Sequence, residues 1–300
     1  MPPTNYHPHN SDEHRERDQW RLRVNQRALP VIPCISAWFD ICGFGKILES
    51  VNWSLESLRD SGLFKALDSA YTVLGNPFIV GAPPMPTERV LIINDGVART
   101  ADLNPQYLDQ AVLLFYVRDL FIAHFHLLKT LVGHGLGLRT VFAGGERSQY
   151  SPASVTGSSL LQYTGMPSDF GKNVLAQQFV YNPIEFQMNT AFAMAYTIEA
   201  LGTKGGIKPN RLYITENWLN KITATVPTEK ENKTGVIVLP WRGGPGISIA
   251  FDDRFSINTK GFLTDVFRVC EFTVHTEFEG EETNFPMNEH DLIATDSSKG

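Results

Sequence analysis

Two aspartates carry the sharpest chemical signal in this chain. Asp40 closes an apolar run from Leu29 (LPVIPCISAWFD), and Asp95 sits in Asn94-Asp95-Gly96, directly after the apolar stretch Glu88 to Ile93 (ERVLII). The first pattern reads as a buried strand ending at Asp40, the second as a strand followed by a hairpin turn. If the two strands are neighbours in one sheet, both carboxylates reach the same edge. Converging hard oxygen ligands suit Mg2+ or Mn2+, which keep coordination positions open for triphosphate oxygens. Two such ions can activate an attacking oxygen and neutralise a leaving pyrophosphate. Gly43-Phe44-Gly45 follows Asp40 and opens a helix, where backbone N–H groups can face a phosphate chain. Singly, each feature is more often a plain turn former. Their order and context are more specific.

Other residues position these groups. A helical region is expected from about Lys46 to Leu74, broken near Ser61-Gly62, then a proline-rich loop over 76–86. Val97 to Thr100 begins the return strand of the hairpin. Asp109 to Val132 has apolar positions at helical spacing and ends at Gly133-His134-Gly135. Leu136 to Ala143 (LGLRTVFA) reads as a core strand left through Gly144-Gly145-Glu146-Arg147. A serine-rich loop with a short helix is expected over 148–171 and a helix from Asn189 to Leu201. Strands follow at Leu212–Thr215, Gly235–Pro240 and Ile247–Phe251, and Phe267–Phe278 reads as an edge strand. This order predicts an α+β fold with a mostly antiparallel sheet covered by helices. Residues 1–27 are polar and read as a disordered lead-in, 28–280 as the folded domain, and 281–300 as a flexible acidic tail.

The chain has 300 residues and a net charge of −6, so no broad attraction to nucleic acid is expected. Cys34, Cys42 and Cys270 form no C-x-x-C pair and signal neither a zinc site nor a disulfide framework. With a polar N-terminus and no apolar run near the roughly 18 residues of a membrane span, a cytoplasmic protein is expected. His124 and His126 lie two apart on a helix and face different ways, which argues against a joint metal site. No G-x-S-x-G elbow supports a hydrolase.

Trp38-Phe39-Asp40-Ile41-Cys42-Gly43-Phe44-Gly45 resembles the first metal motif of class III nucleotidyl cyclases, and Ile93-Asn94-Asp95-Gly96 resembles their second. Leu138 to Gly145 is similar to their central strand and glycine turn. Tyr181 to Ala193 (YNPIEFQMNTAFA) occupies the place of their segment with the ribose-orienting asparagine, which Asn189, followed by helix, matches. The details look closest to the pyrimidine cyclases of bacterial Pycsar antiphage systems, on the runs Asn-Asp-Gly-Val-Ala-Arg and Phe-Ala-Gly-Gly-Glu-Arg.

The resemblance implies a ferredoxin-like βαββαβ core with additional C-terminal strands. It implies two divalent cations on Asp40 and Asp95, assisted by the backbone carbonyl of Ile41. It also implies a homodimer with shared sites at the interface, in which Asn189 of one subunit serves the metals of the other. Phe39, Gly43, Phe44, Gly45, Leu91 and Asn182 are the expected substrate contacts. Leu91 stands where purine cyclases carry Lys or Glu, and Asn182 occupies the second base-reading position, so the adenine-reading pair is absent. The arginine one turn after the ribose asparagine is also missing, since that position is Ala193. Arg139, Arg147, Lys204 and Arg242 are candidates for its phosphate role. The expected reaction is UTP to cyclic UMP, with a cyclic-nucleotide-responsive effector downstream. CTP is the second choice, followed by a purine cyclase or a non-catalytic nucleotide-binding module.

Overall fold

The computed structural model describes residues 19, 22–59, 63–75, 85–103, 108–148, 183, 185–226, 229–231, 235–241, 244–275, 282–290 and 292. The chain divides into two compact units, residues 1–32 with 147–189, and residues 33–146 with 190–300. The first elements are β1 (Val31–Cys42), α1 (Phe44–Ser50), α2 (Leu55–Arg59), α3 (Leu63–Gly75), β2 (Arg89–Ile93), β3 (Gly96–Asp102), α4 (Gln110–Gly133) and β4 (Gly137–Ser148). Their strands lie in the order β2-β3-β1-β4, the ferredoxin-like βαββαβ arrangement.

The chain continues through α5 (Thr190–Glu199), β5 (Arg211–Thr215), α6 (Glu216–Thr225), β6 (Glu229–Glu231), β7 (Val236–Trp241), β8 (Gly244–Thr259), β9 (Phe262–His275) and β10 (Glu282–Pro286). These strands extend the sheet as β4-β5-β9-β8-β7-β6, with β10 on β9. The β4–β5 pair is parallel, and the β1–β3, β2–β3, β5–β9, β8–β9, β7–β8, β6–β7 and β9–β10 pairs are antiparallel. The expected α+β fold with extra C-terminal strands is therefore present.

Alternation along β1 separates two faces. Ile35, Ala37, Phe39 and Ile41 are buried in the main core, while Trp38, Asp40 and Cys42 point the other way. Phe39 packs edge-on against Phe142 of β4, which meets Phe121 of α4, and Phe121 stacks on Phe272 of β9 at 4.5 Å. Contrary to the sequence expectation of no run near a span's length, helix α4 is long and apolar enough to cross a bilayer by length and composition. Its Leu113, Val117, Leu120, Phe121, Leu127 and Leu128 are instead buried in the core.

One ion cluster sits inside that core. Arg99 of β3 donates from Nε to Glu88 at 2.7 Å and from Nη2 to Asp119 of α4, with its guanidinium over the Tyr116 ring. Burial pushes both carboxyls up, and Arg99 pulls each back down. The cluster ties α4 to β3 across the packed layer.

In the smaller unit, residues 22–25 form one helical turn. Arg147 bridges to Asn189, and the Ser148 hydroxyl donates to the Pro30 carbonyl at 3.2 Å.

Several boundaries differ from the sequence expectation. β1 runs past Asp40 to Cys42 because Ile41 still pairs, donating its N–H to the Asp95 carbonyl at 2.9 Å. The helical region breaks after Ser50, where Asn52 and Trp53 take left-handed φ of 50° and 60°, and Ser61-Gly62 lies outside the described residues. β4 continues through Gly144-Gly145 to Ser148. Those glycines accommodate neighbours rather than a turn: a Cβ on Gly144 would lie 2.4 Å from the Asn217 carbonyl, and one on Gly145 would lie 2.5 Å from the Ala191 nitrogen. β9 is an interior strand, not an edge, since β5 and β8 flank it. β10 falls within the stretch read as a tail, where Glu282–Pro286 pairs with β9. Helix α6 had not been expected; the Thr215 side chain caps it by accepting from the Trp218 N–H.

Candidate active site

The site grows out of strand register. Asp40 lies opposite Gly96, and Trp38 lies opposite Ala98, which is in turn opposite Leu91. Directly opposed residues share a face, so Trp38, Asp40 and Leu91 lie together on the side away from the main core. Asp95 occupies the β2–β3 turn, where Asn94 takes a left-handed φ of 50°. The Ile41 N–H bond to the Asp95 carbonyl fixes this turn to the strand that carries Asp40. Tyr71 of α3 donates its hydroxyl to the Asn94 carbonyl at 2.5 Å and steadies the turn from the other side.

Helix α5 covers this face. Phe192 and Tyr196 meet Trp38 edge-on at 6.0 and 5.5 Å, and Glu199 continues the same helical stripe. The start of α5 is pinned to β4, because the Thr190 hydroxyl accepts from the Glu146 N–H and donates to the Glu146 carbonyl. Glu199 binds Arg139 of β4, and Arg139 Nη1 lies 3.6 Å from Asp40. Gly96 is required here, since a Cβ would come within 2.2 Å of the Trp38 ring.

Negative charge is crowded in this site. Burial first, then Glu199 and Asp95, push Asp40 up from 3.8 to about 7, against the pull of Arg139 and a Cys42 hydrogen bond. Burial, with a contribution from Glu199, also raises Asp95. Burial pushes the Cys42 thiol up to about 12, so it remains protonated beside Asp40. Among the described residues no cluster of three or more His, Cys, Asp or Glu side chains forms a metal cage. Two carboxylates on one edge fit a magnesium-like ion that completes its coordination with water and substrate phosphates. Asp40 and Asp95 would hold it, and the Ile41 carbonyl is available on the same strand.

No family model and no curated protein sequence matches this chain. Several solved cyclase structures align with this chain. The adenylyl cyclase CyaB from P. aeruginosa aligns at TM-score 0.43 and 13% identity, over 80% of this chain and 95% of that one. The guanylate cyclase domain of RhGC from Catenaria anguillulae, in complex with GTP, aligns at 0.41 and 12%, over 80% and 97%. The catalytic core of a rhodopsin-guanylyl cyclase with converted specificity, in complex with ATPαS, aligns at 0.40 and 12%, over 80% and 97%.

Of the residues expected from sequence, Asp40, Asp95, Arg139 and Leu91 belong to one neighbourhood. Gly43 takes φ 97° and starts α1, placing Phe44 half-buried against the core and Gly45 in open space. Phe39 is a correction: it is fully buried on the opposite face of β1 and packs on Phe142, so it is no substrate contact. The Ile41 side chain is likewise core, leaving only its backbone for the site. Asn189 belongs to the smaller unit, where it is buried and donates from Nδ2 to the Glu185 carbonyl at 2.9 Å. Asn182, Tyr181 and Arg242 lie outside the described residues.

Among the described cations, Arg139 is the one within ion-pair distance of Asp40. Lys204 stands exposed on a short 3-10 turn, and Arg147 belongs to the smaller unit. His124 is buried against Thr140 and kept neutral, its pKa lowered to about 3 by burial, while His126 is exposed. Sequence reasoning missed Glu199, Trp38 and Tyr71. The spacing Phe192, Tyr196, Glu199 was the available signal for the first, a carboxylate ending an aromatic stripe.

Proposed function

We propose that this chain is a divalent-metal-dependent nucleotidyl cyclase that acts on a pyrimidine nucleoside triphosphate, UTP first and CTP second. The observation that carries the reading is the Ile41–Asp95 backbone bond, which fixes Asp40 and the Asp95 turn to one sheet edge. In the reaction the ribose 3′ oxygen attacks the α-phosphorus and pyrophosphate leaves. Bound divalent cations would acidify the 3′ hydroxyl and neutralise the leaving group. Asp40 and Asp95 would hold those cations. Arg139 supplies a fixed positive charge beside them, and the N–H groups after Gly43 begin a helix directly beyond the Asp40 strand. Leu91 supports a pyrimidine, because it shares the face of Asp40 and offers no charge to an adenine edge.

By the sequence resemblance, the enzyme works as a homodimer in which Asn189 orients the ribose of the partner's site. Its cyclic product would signal to a cyclic-nucleotide-responsive effector in antiphage defence, within the cytoplasm. The test is turnover of UTP, CTP, ATP and GTP with Mn2+. Cyclic UMP or cyclic CMP as the dominant product supports the reading. A dominant purine product overturns the base assignment, and no product from any of the four overturns the catalytic one.

A further inference from the structure

We propose that Glu199 is a positioning residue that holds the Arg139 guanidinium across Asp40, making Arg139 the resident counter-charge of that carboxylate until a divalent ion is bound. The inference rests on the metal site proposed above. Arg139 could reach several conformers from a strand, yet its Nη1 is shared between Glu199 and Asp40, with side-chain exposures of 15% for Arg139, 9% for Glu199 and 23% for Asp40. Its Nε is buried without a hydrogen-bond partner, so the guanidinium is held chiefly through one end.

Glu199 is supplied by α5, whose start is pinned to β4 at Glu146 and whose middle rests on Trp38. The clamp therefore has a rigid frame on both sides: β4 carries the arginine, and α5 carries the carboxylate that aims it. Without Glu199, Arg139 would have Asp40 as its remaining carboxylate partner and would close onto it. With Glu199 in place, Arg139 keeps a partner when Asp40 turns to a metal ion, and its charge remains at the site's edge. Glu199 thus acts through Arg139 and need not touch the ion.

The test is a double-mutant cycle on Mn2+ binding, read by electron paramagnetic resonance of free Mn2+ without nucleotide. Arg139→Gln should tighten binding about tenfold, because Asp40 loses a nearby competing cation. Glu199→Gln should weaken binding about tenfold in the wild-type background, through charge loss and closure of Arg139 onto Asp40. In the Arg139→Gln background the same change should weaken it at least threefold less, since nothing is left to close. Equal effects of Glu199→Gln in both backgrounds would mean that Glu199 acts on the ion directly, and would overturn the inference. If Glu199→Gln does not fold, Arg139→Gln alone decides, and unchanged or weaker binding overturns the inference. Absence of Mn2+ binding by the wild type overturns this inference and the metal site together. Binding with the expected cycle but without turnover leaves the clamp standing and overturns the cyclase reading alone.

Discussion

Replacing Asp40 with asparagine should make the metal-free protein more stable at alkaline pH while removing its activity. The carboxyl is raised from 3.8 to about 7 by burial, Glu199 and Asp95. A group raised in the folded state stabilises fully below its unfolded pKa, and that contribution is lost as pH climbs through the folded value. Folding stability of the metal-free wild type should therefore fall between about pH 4 and pH 7. At roughly 1.36 kcal/mol per pH unit, the ceiling is about 4 kcal/mol. Rearrangement of Arg139 toward Asp40 would reduce it. In a domain of this size each kcal/mol moves Tm by about 2–4 °C, so the ceiling is roughly 8–16 °C.

The assay is thermal unfolding of wild type and Asp40→Asn in EDTA at pH 5, 6, 7 and 8. The slope is the informative quantity, because the constant offset from altered contacts cancels in it. The gap between the two proteins should widen with pH in favour of the variant, then stop widening above about pH 8. Saturating Mn2+ should raise the wild type and leave the variant nearly unmoved. Parallel stability curves across this range would refute the account of Asp40 as a strained, electrostatically crowded carboxylate.

Three further outcomes are expected. Asp95→Asn should keep its circular dichroism spectrum but lose at least about a hundredfold in turnover, since each 1.36 kcal/mol lost is tenfold in rate; near-normal turnover would displace the second carboxylate from the site. Gly96→Ala should cost about 1–3 kcal/mol by denaturant unfolding and lower turnover, because the new methyl collides with the Trp38 ring and shifts the turn that carries Asp95; an unchanged midpoint contradicts the packing described. If the chain forms the shared-site homodimer proposed above, Asp40→Ala and Asn189→Ala, each inactive alone, should recover about a quarter of wild-type activity when co-refolded, since half the dimers would be mixed and each mixed dimer would have one intact site. No recovery despite demonstrated subunit exchange rejects the shared site.

Several core elements were legible because they depend on periodicity, while the βαββαβ topology came from the family resemblance. The strand of Asp40, the hairpin of Asp95 and the long helix α4 are each local patterns of apolar spacing. Boundaries were less legible where tertiary contacts override those patterns. Gly144-Gly145 read as a turn, but the close backbones of α5 and α6 require glycine inside a continuing strand. β9 alternates like an edge strand, yet it is covered on both sides by partners far away in sequence. In the site, the aspartates announced themselves by position within motifs. Phe39 was misassigned because adjacency in sequence to Asp40 means opposite faces in a strand. Glu199 carries no motif of its own. Its meaning comes from the arginine that the sheet places beneath it, and the sequence does not show that meeting.

The buried trio of Glu88, Arg99 and Asp119 has a consequence for how this sequence can drift. Removing Arg99 leaves two buried carboxyls without their counter-charge, at about 3–5 kcal/mol, whereas replacing the whole group with well-packed apolar residues is often neutral or stabilising. Neighbours in one network are non-additive in this way. Genotypes that lose Arg99 while the carboxyls remain are therefore the unfit ones, and the arginine is trapped by epistasis rather than held by its own benefit. The segment before β2, the middle of β3 and the third turn of α4 are bound to change together or stay as they are, long after surface positions around them have turned over.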